Sequence, residues 1–432
     1  MVSYSIIQKS QLEGALRLDA EYYQQEYLDL IKNLNNLEAV PIENVAINPQ
    51  RKFKPQKGKT FQYIEISEVD LSTGEYNKTE ISGENAPDRA QQIIKKDDVI
   101  VSTVRPIRNA VSLIGEDAQN LVCSSGFTVL KSEKIEPEYL FIYLKTKPII
   151  AFLDRSTTAT MYPAITADDI LNTKIYLGDK NFREEIKNNV VESKNELDNS
   201  QDLYFQAENL LLEELGLKDF KNEENLFNII NLSEVKNARR IDAEYFQNKY
   251  DKITSLIRAK KGIEPGAEEY QEEGKLFIRV SSLSKQGITD KDQKYLSDKL
   301  YLELKKDFEP KTGEILLTKD ATPGIAYVLK EPLEGIVSGG VLCLKIKEDI
   351  DAEYLALCIN SIVGQTQAER DAGGSIIAHW KPEQIKNILI PILPKSIQQK
   401  IADLVRKSHE ARKKAKELLE QAKQKVEKLI EK

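Results

Sequence analysis

The sequence predicts an α+β chain made by tandem duplication: two α/β units, separated by two long antiparallel coiled-coil helices and related by a pseudo-twofold. Three observations predict it. The stretch RLDAEYYQQEY, Arg17 to Tyr27, returns as RIDAEYFQNKY at Arg240 to Tyr250, with seven of eleven positions identical. The runs that follow each copy also match, in unchanged order. Finally, each half closes on about 35 residues of helical rhythm.

In chain order, each opening stretch reads as a helix. YIEISEVDLSTG from Tyr63 then parallels FIRVSSLSKQG from Phe277, and DVIVSTVRPIRNAVSLI from Asp98 parallels EILLTKDATPGIAYVL from Glu314 with a one-residue gap. These are short β-branched strands broken by Gly, Pro and Asn turns. CSSGFTVLK ending at Lys131 matches VSGGVLCLK ending at Lys345, and IEPEYL from Ile135 matches IDAEYL from Ile350, where a helix starts. A polar loop, STTATMYPAITADDI or DAGGSIIAHWKPEQI, leads to a last strand, KIYLG or ILIPILP. In the second closing helix Ile397, Ile401, Leu404, Ser408, Ala411, Ala415, Leu418 and Ala422 alternate steps of four and three, with Val426 a further four on, a coiled-coil seam. The first follows it less strictly through Ile186, Val190, Ser193, Leu197, Ser200, Leu203, Ala207 and Leu211, so the two stripes are expected to pack on each other. Gly216 is expected to end the first long helix, ahead of an acidic linker. The expected segments are a unit over 1–181, a helix over 182–217, a linker over 218–230, a unit over 231–395 and a helix over 396–432.

A chain of 432 residues exceeds a single core, and 41% hydrophobic with 30% charged residues suits soluble units with charged surfaces. Cys123, Cys343 and Cys358 form no CxxC pair, and no apolar run reaches the roughly 20 residues that cross a bilayer, so a reduced, cytoplasmic setting without signal peptide or membrane is expected. Dinucleotide, P-loop and HExxH motifs are lacking, as is the [DNS]PP[YFW] run of adenine methyltransferases. With two histidines, His379 and an expectedly exposed His409, an enzyme is not expected, nor a metal or cofactor. A net charge of -7 argues mildly against nucleic acid, unless basic residues cluster locally.

The order of opening motif, strands, VSTVRPIRNA, polar loop, I-P-x-L-P strand end and closing helix resembles the specificity subunit of type I restriction–modification systems, twice over. GSIIAHWKPEQIKNILIPILPKSIQQKI, Gly374 to Ile401, is the most family-like run. The resemblance implies two target recognition domains, each reading half of an asymmetric, gapped double-stranded DNA target, with the helices setting the gap. It also implies two partner methyltransferase subunits using S-adenosylmethionine, with a motor–nuclease subunit able to join; Mg and ATP belong to the partners, and the chain itself catalyses nothing. The rival from another class is a coiled-coil scaffold whose ends bind protein, or a binding subunit of another phage-defence or methylation complex.

Three kinds of loop supply the candidate contacts. RKFKPQKGK, Arg51 to Lys59, offers Arg51, Lys52, Lys54 and Lys57 as phosphate or groove contacts, or else is a solvated turn. In VSTVRPIRN, Thr103, Arg105 and Arg108 follow a strand directly; an arginine there forks onto guanine or phosphate, or pairs with Asp97 or Asp98. The counterpart in the second half carries Thr318, Lys319 and Thr322. The polar loops add Thr157, Thr158, Thr160 and Tyr162, and Ser375 and His379. Trp380, opposite Ile165, is expected to pack at a helix start. Arg17, Asp19, Glu21, Tyr22 and their repeats Arg240, Asp242, Glu244 and Tyr245 cannot explain two different specificities, so they are read as structural or as a shared docking surface.

Overall fold

The computed structural model describes residues 6–9, 12, 18, 20–117, 120–157, 163–218, 257–347, 349–373 and 378–431. The chain folds into two compact units, one from residues 1–196 with 414–432, the other from 197–413. The expected segments kept the closing helices apart from the units. In the structure each unit takes half of each helix into its own core.

Unit 1 runs α1 (Gln25–Asn36), β1 (Val40–Pro41), β2 (Ala46–Ile47), β3 (Thr60–Ile64), β4 (Thr79–Ser82), β5 (Ala90–Ile93), β6 (Asp98–Ser102), β7 (Val111–Leu113), β8 (Leu121–Ser124) and β9 (Phe127–Ser132). It continues with α2 (Pro137–Leu144), α3 (Lys147–Asp154), α4 (Ala167–Asn172), β10 (Lys174–Ile175) and the long α5 (Lys180–Glu214). One sheet has the order β2-β9-β6-β7, a second β4-β3-β8-β5. All five β6 residues are buried, which is why Val99 to Val101 read as an unbroken apolar run rather than an alternating one. Helix α2 starts on Pro137 and buries Tyr139 to Leu144; the Tyr139 and Tyr143 hydroxyls donate to the carbonyls of Tyr176 and Lys174.

Unit 2 runs β11 (Ile257–Lys261), β12 (Lys275–Ile278), β13 (Leu283–Ser284), β14 (Gly287–Ile288), β15 (Lys294–Leu296), α6 (Asp298–Phe308), β16 (Ile315–Thr318), β17 (Ala326–Val328), β18 (Gly335–Val337) and β19 (Val341–Ile346). Then come α7 (Ala352–Asn360), α8 (Ile362–Asp371), α9 (Pro382–Ile385) and the long α10 (Lys395–Ile430). Its first sheet, β11-β19-β16-β17, repeats that of unit 1 strand for strand. The register repeats as well: Val99 opposes Leu130 and Leu113, and Ile315 opposes Leu344 and Val328. The second sheet, β15-β12-β18, keeps the parallel step between β12 and β18 that joins β3 to β8. Where unit 1 sets β5 beside β8, unit 2 packs α6 against β18.

In both units the long helices run antiparallel. In unit 1 the Ser193 hydroxyl donates to the Ala415 carbonyl at 2.9 Å, and Lys414 reaches Glu192 and Glu196 at 2.9 and 2.8 Å. In unit 2 the Ser408 hydroxyl donates to the Ser200 carbonyl at 2.6 Å. Serines in the seam let the backbones approach while their hydroxyls stay satisfied. Ile186, Val190, Leu419, Ala422 and Val426 join the unit 1 core; Ala207, Leu211, Ile401 and Val405 join that of unit 2. Helix α5 ends as expected: Gly216 sits at φ +67°, with Gly216 and Leu217 amides donating to the Glu213 and Leu212 carbonyls.

His409 departs from expectation. It is not exposed: its side chain is 10% accessible, edge-on to the Tyr327 ring with centroids 5.7 Å apart and Nε2 4.0 Å from the Glu353 carboxylate. Burial, with Lys330 and Arg412 nearby, holds its pKa down at about 3. A heptad pattern reports the face a helix shows to its partner helix, and His409 lies on the face turned to the sheet. The position has a counterpart. Lys194 follows Ser193 as His409 follows Ser408, and its Nζ donates to the Gly115 carbonyl. Gly115 and Lys330 stand two residues beyond the matched ends Leu113 and Val328. Unit 1 thus sets lysine on the helix against glycine on the sheet, and unit 2 histidine on the helix against lysine on the sheet. No helix of the described residues is long and apolar enough to cross a membrane.

Candidate nucleic-acid interface

The buried strands β6 and β16 end in loops built on one plan. Thr103 and Lys319 amides donate to the carbonyls of Gly126 and Gly340, and their own carbonyls accept from Ile165 and Trp380. Arg105 and Ala321 both take the left-handed conformation, φ +50° and +59°, and their amides donate to Pro163 and Ala378. Such backbone is strained for a residue with a Cβ and is kept here by bonds on either side. Trp380 and Ile165 are both buried, so Trp380 packs as expected.

In unit 1 the Thr103 hydroxyl also donates to Gly126 O, at 2.9 Å. Pro106 is buried, and a second left-handed residue, Asn109, closes the turn. Asp154 of α3 accepts from the Ile107 amide; burial outweighs that bond, and its carboxyl sits above the usual range. Held this way, the tip turns Ile107 and Arg108 outward, with Arg105 half-buried. Among the described residues Arg108 has no ion pair. Thr157 is half-buried, its amide donating to Asp154 O. Thr158, Thr160 and Tyr162 lie outside the described residues.

The basic run is a solvated turn only in its second half, where the Lys59 amide donates to Gln56 O. Lys52 bridges to Gln92, the Phe53 amide donates to Gln91 O, and the Ile93 amide to Arg51 O, so Arg51 to Phe53 line β5 as an edge strand. Alternation then turns Phe53 onto Phe61 and Lys52 and Lys54 to solvent. Lys57 and Lys59 are also exposed, and among the described residues none of the four meets a carboxylate. Arg51 is corrected from a DNA contact to a strut. It forks onto Asp98, which is 1% exposed, at 2.5 and 3.0 Å, and the Lys95 amide completes that carboxylate. Asp98 is therefore taken by Arg51. Since Asp98 begins β6 and Arg105 follows its end, the strut and the arginine loop stand on the order of 15 Å apart along the strand.

Unit 2 corrects two more residues. Thr318 is fully buried, its hydroxyl donating to Thr322 O and accepting from the Ile325 amide, so it braces the loop from within. Lys319 is 8% exposed and its Nζ lies 2.5 Å from Asp320 Oδ2, which spends its charge inside. Thr322 is exposed, as is His379, whose Nδ1 lies 2.8 Å from Asp320 Oδ1. Burial would raise Asp320, but the Lys319 and His379 bonds hold its carboxyl below the usual range. Ser375 lies outside the described residues. Asp320 is the residue sequence reasoning missed; a Lys-Asp pair directly after a buried strand was the available signal.

The opening motif is structural where described. Tyr22 and Tyr23 are buried, and Arg155 lies over the Tyr22 ring at 4.1 Å while donating to Tyr22 O. Arg17, Asp19, the Glu21 side chain, Arg240, Asp242, Glu244 and Tyr245 lie outside the described residues. Among the described residues no three His, Cys, Asp or Glu side chains are placed to hold a metal ion.

Residues 247–427 match the family model for the type I restriction modification DNA specificity domain. A stretch of 127 residues is 28% identical to the type I restriction enzyme HindI specificity subunit of Haemophilus influenzae, covering 28% of this chain and 28% of that relative's length. The solved HsdS subunit from Thermoanaerobacter tengcongensis aligns over 91% of this chain and 96% of its own at 19% identity and TM-score 0.34. The type I S subunit from M. genitalium aligns over 91% and 94% at 14% and 0.37. Over residues 247–427, less than half of its length, this chain is thus similar to the type I restriction modification DNA specificity domain, and it spans under a third of the curated relative it matches.

Proposed function

We propose that the chain is the sequence-recognition subunit of a type I restriction–modification complex, working in the cytoplasm. Each unit reads one half of a bipartite, gapped DNA duplex, and the chain directs partner subunits to it. The observation that carries this reading is a scaffold kept to the residue in register while its exposed loops diverge. Thr103, Val104, Arg105 and Ala164 in unit 1 answer to Lys319, Asp320, Ala321 and His379 in unit 2. A protein with one ligand would have reason to keep those loops alike; a reader of two sequences must change them.

The net charge is compatible, because Lys52, Lys54, Lys57, Lys59 and Arg108 supply exposed cations on unit 1 for the phosphate backbone. In this reading the chain carries out no chemistry. Two methyltransferase subunits bring S-adenosylmethionine, and a motor–nuclease subunit brings Mg and ATP. The test is a map of N6-methyladenine across the source genome with the gene intact and deleted. Loss of one asymmetric gapped motif supports the reading; an unchanged methylome with the gene expressed refutes it.

A further inference from the structure

His379 is held from two sides. Its main chain exchanges both hydrogen bonds with Gly373, at 2.9 and 3.2 Å, and bridges to Asp320. Its Nδ1 faces Asp320 Oδ1 at 2.8 Å, while the side chain remains 59% accessible, so the Nε2 edge is turned to solvent. The other Asp320 oxygen is fixed by Lys319 Nζ at 2.5 Å. A carboxylate only accepts, so Nδ1 carries the proton of that bond, and the tautomer it selects presents Nε2 as the acceptor. Unit 1 has Val104 and Ala164 at the same bridge and can offer nothing equivalent.

We propose that His379 reads one base of the second half-site by accepting a hydrogen bond from an exocyclic amine, adenine N6 or cytosine N4, in the major groove. Asp320 is the positioning residue that sets the tautomer. This rests on the DNA-recognition reading above. It makes an unusual forecast for Asp320→Asn. Lys319 can only donate, so it holds the amide oxygen, and the amide nitrogen is left facing His379. That nitrogen donates to Nδ1, the proton moves to Nε2, and the ring becomes a donor that suits guanine O6 or N7, or thymine O4.

The experiment selects duplexes from a randomised library with the full chain as wild type, His379→Ala and Asp320→Asn. The expected result is a wild-type motif in which one second-half position is restricted to adenine or cytosine on the contacted strand. His379→Ala loses that discrimination, on the order of tenfold, at that position alone. Asp320→Asn shifts the same position to guanine or thymine. The remaining positions report folding. If His379→Ala leaves every position unchanged, or both variants lose the whole second half-site equally, the inference falls and the recognition reading stands. If wild type selects no bipartite duplex, both fall.

Discussion

Replacing Arg51 by alanine separates a strut from a phosphate contact. The change removes two charge-assisted hydrogen bonds to Asp98, at 2.5 and 3.0 Å, and a longer one to the Ile93 carbonyl. It leaves Asp98, 1% exposed, with the Lys95 amide on one oxygen. Breaking a buried pair by removing one partner costs about 3–5 kcal/mol. Arg51 itself is 19% accessible and water can enter from its side, so the lower end, about 3 kcal/mol, applies. For a unit of roughly 200 residues this lowers the melting temperature by about 6–12 °C. Arg51→Lys keeps one contact and loses the fork, and falls between. The assay is thermal unfolding followed with amide exchange across β6, beside duplex binding at one salt concentration. An unchanged midpoint with weaker binding to every duplex would refute the strut and restore Arg51 to the interface.

Arg105→Ala with Arg108→Ala should relax the first half-site in duplex selection and leave the second readable; equal loss of both would mark the pair as folding or phosphate residues. Lys54→Ala with Lys57→Ala should make the salt dependence of binding shallower by about two units in the log–log slope, with base preference unchanged. Because the His409 pKa is depressed to about 3, below an unfolded value of about 6.5, stability should be full above that value. It should fall as pH drops below it, by at most about 2 kcal/mol at pH 5, since Glu353 partly offsets the loss. His409→Gln should remove that slope in denaturant titrations at several pH values. Ser408→Leu should overpack the seam at about 1–3 kcal/mol, seen in the denaturation midpoint.

What the sequence made legible was whatever repeats. The duplication, the strand order, the Gly216 stop and the buried Trp380 all follow from local patterns present twice. Arg51 and Lys319 were misassigned for one reason: a charged side chain in a loop looks alike whether it meets solvent or a carboxylate. Asp98 lies 47 residues from Arg51, beyond any spacing argument. His409 was misjudged because seven-residue periodicity describes one long helix against the other, whereas its neighbours are Tyr327 of β17, Lys330 just past that strand and Glu353 of α7.

The exchanged lysines have a consequence for how such chains can be recombined. Gly115 faces Lys194 and Lys330 faces His409, so each body is matched to the helix segment inside its own unit. A hybrid cut where the strands end, near residue 181, would join the Lys330 body to Lys194 and set two ammonium groups against each other; the reciprocal hybrid would leave His409 over an empty glycine. Cuts at 196/197 and 413/414 carry each matched pair intact. The unit of inheritance is then a body together with two half-helices, and shuffled genes should keep their crossovers in the middle of the helices.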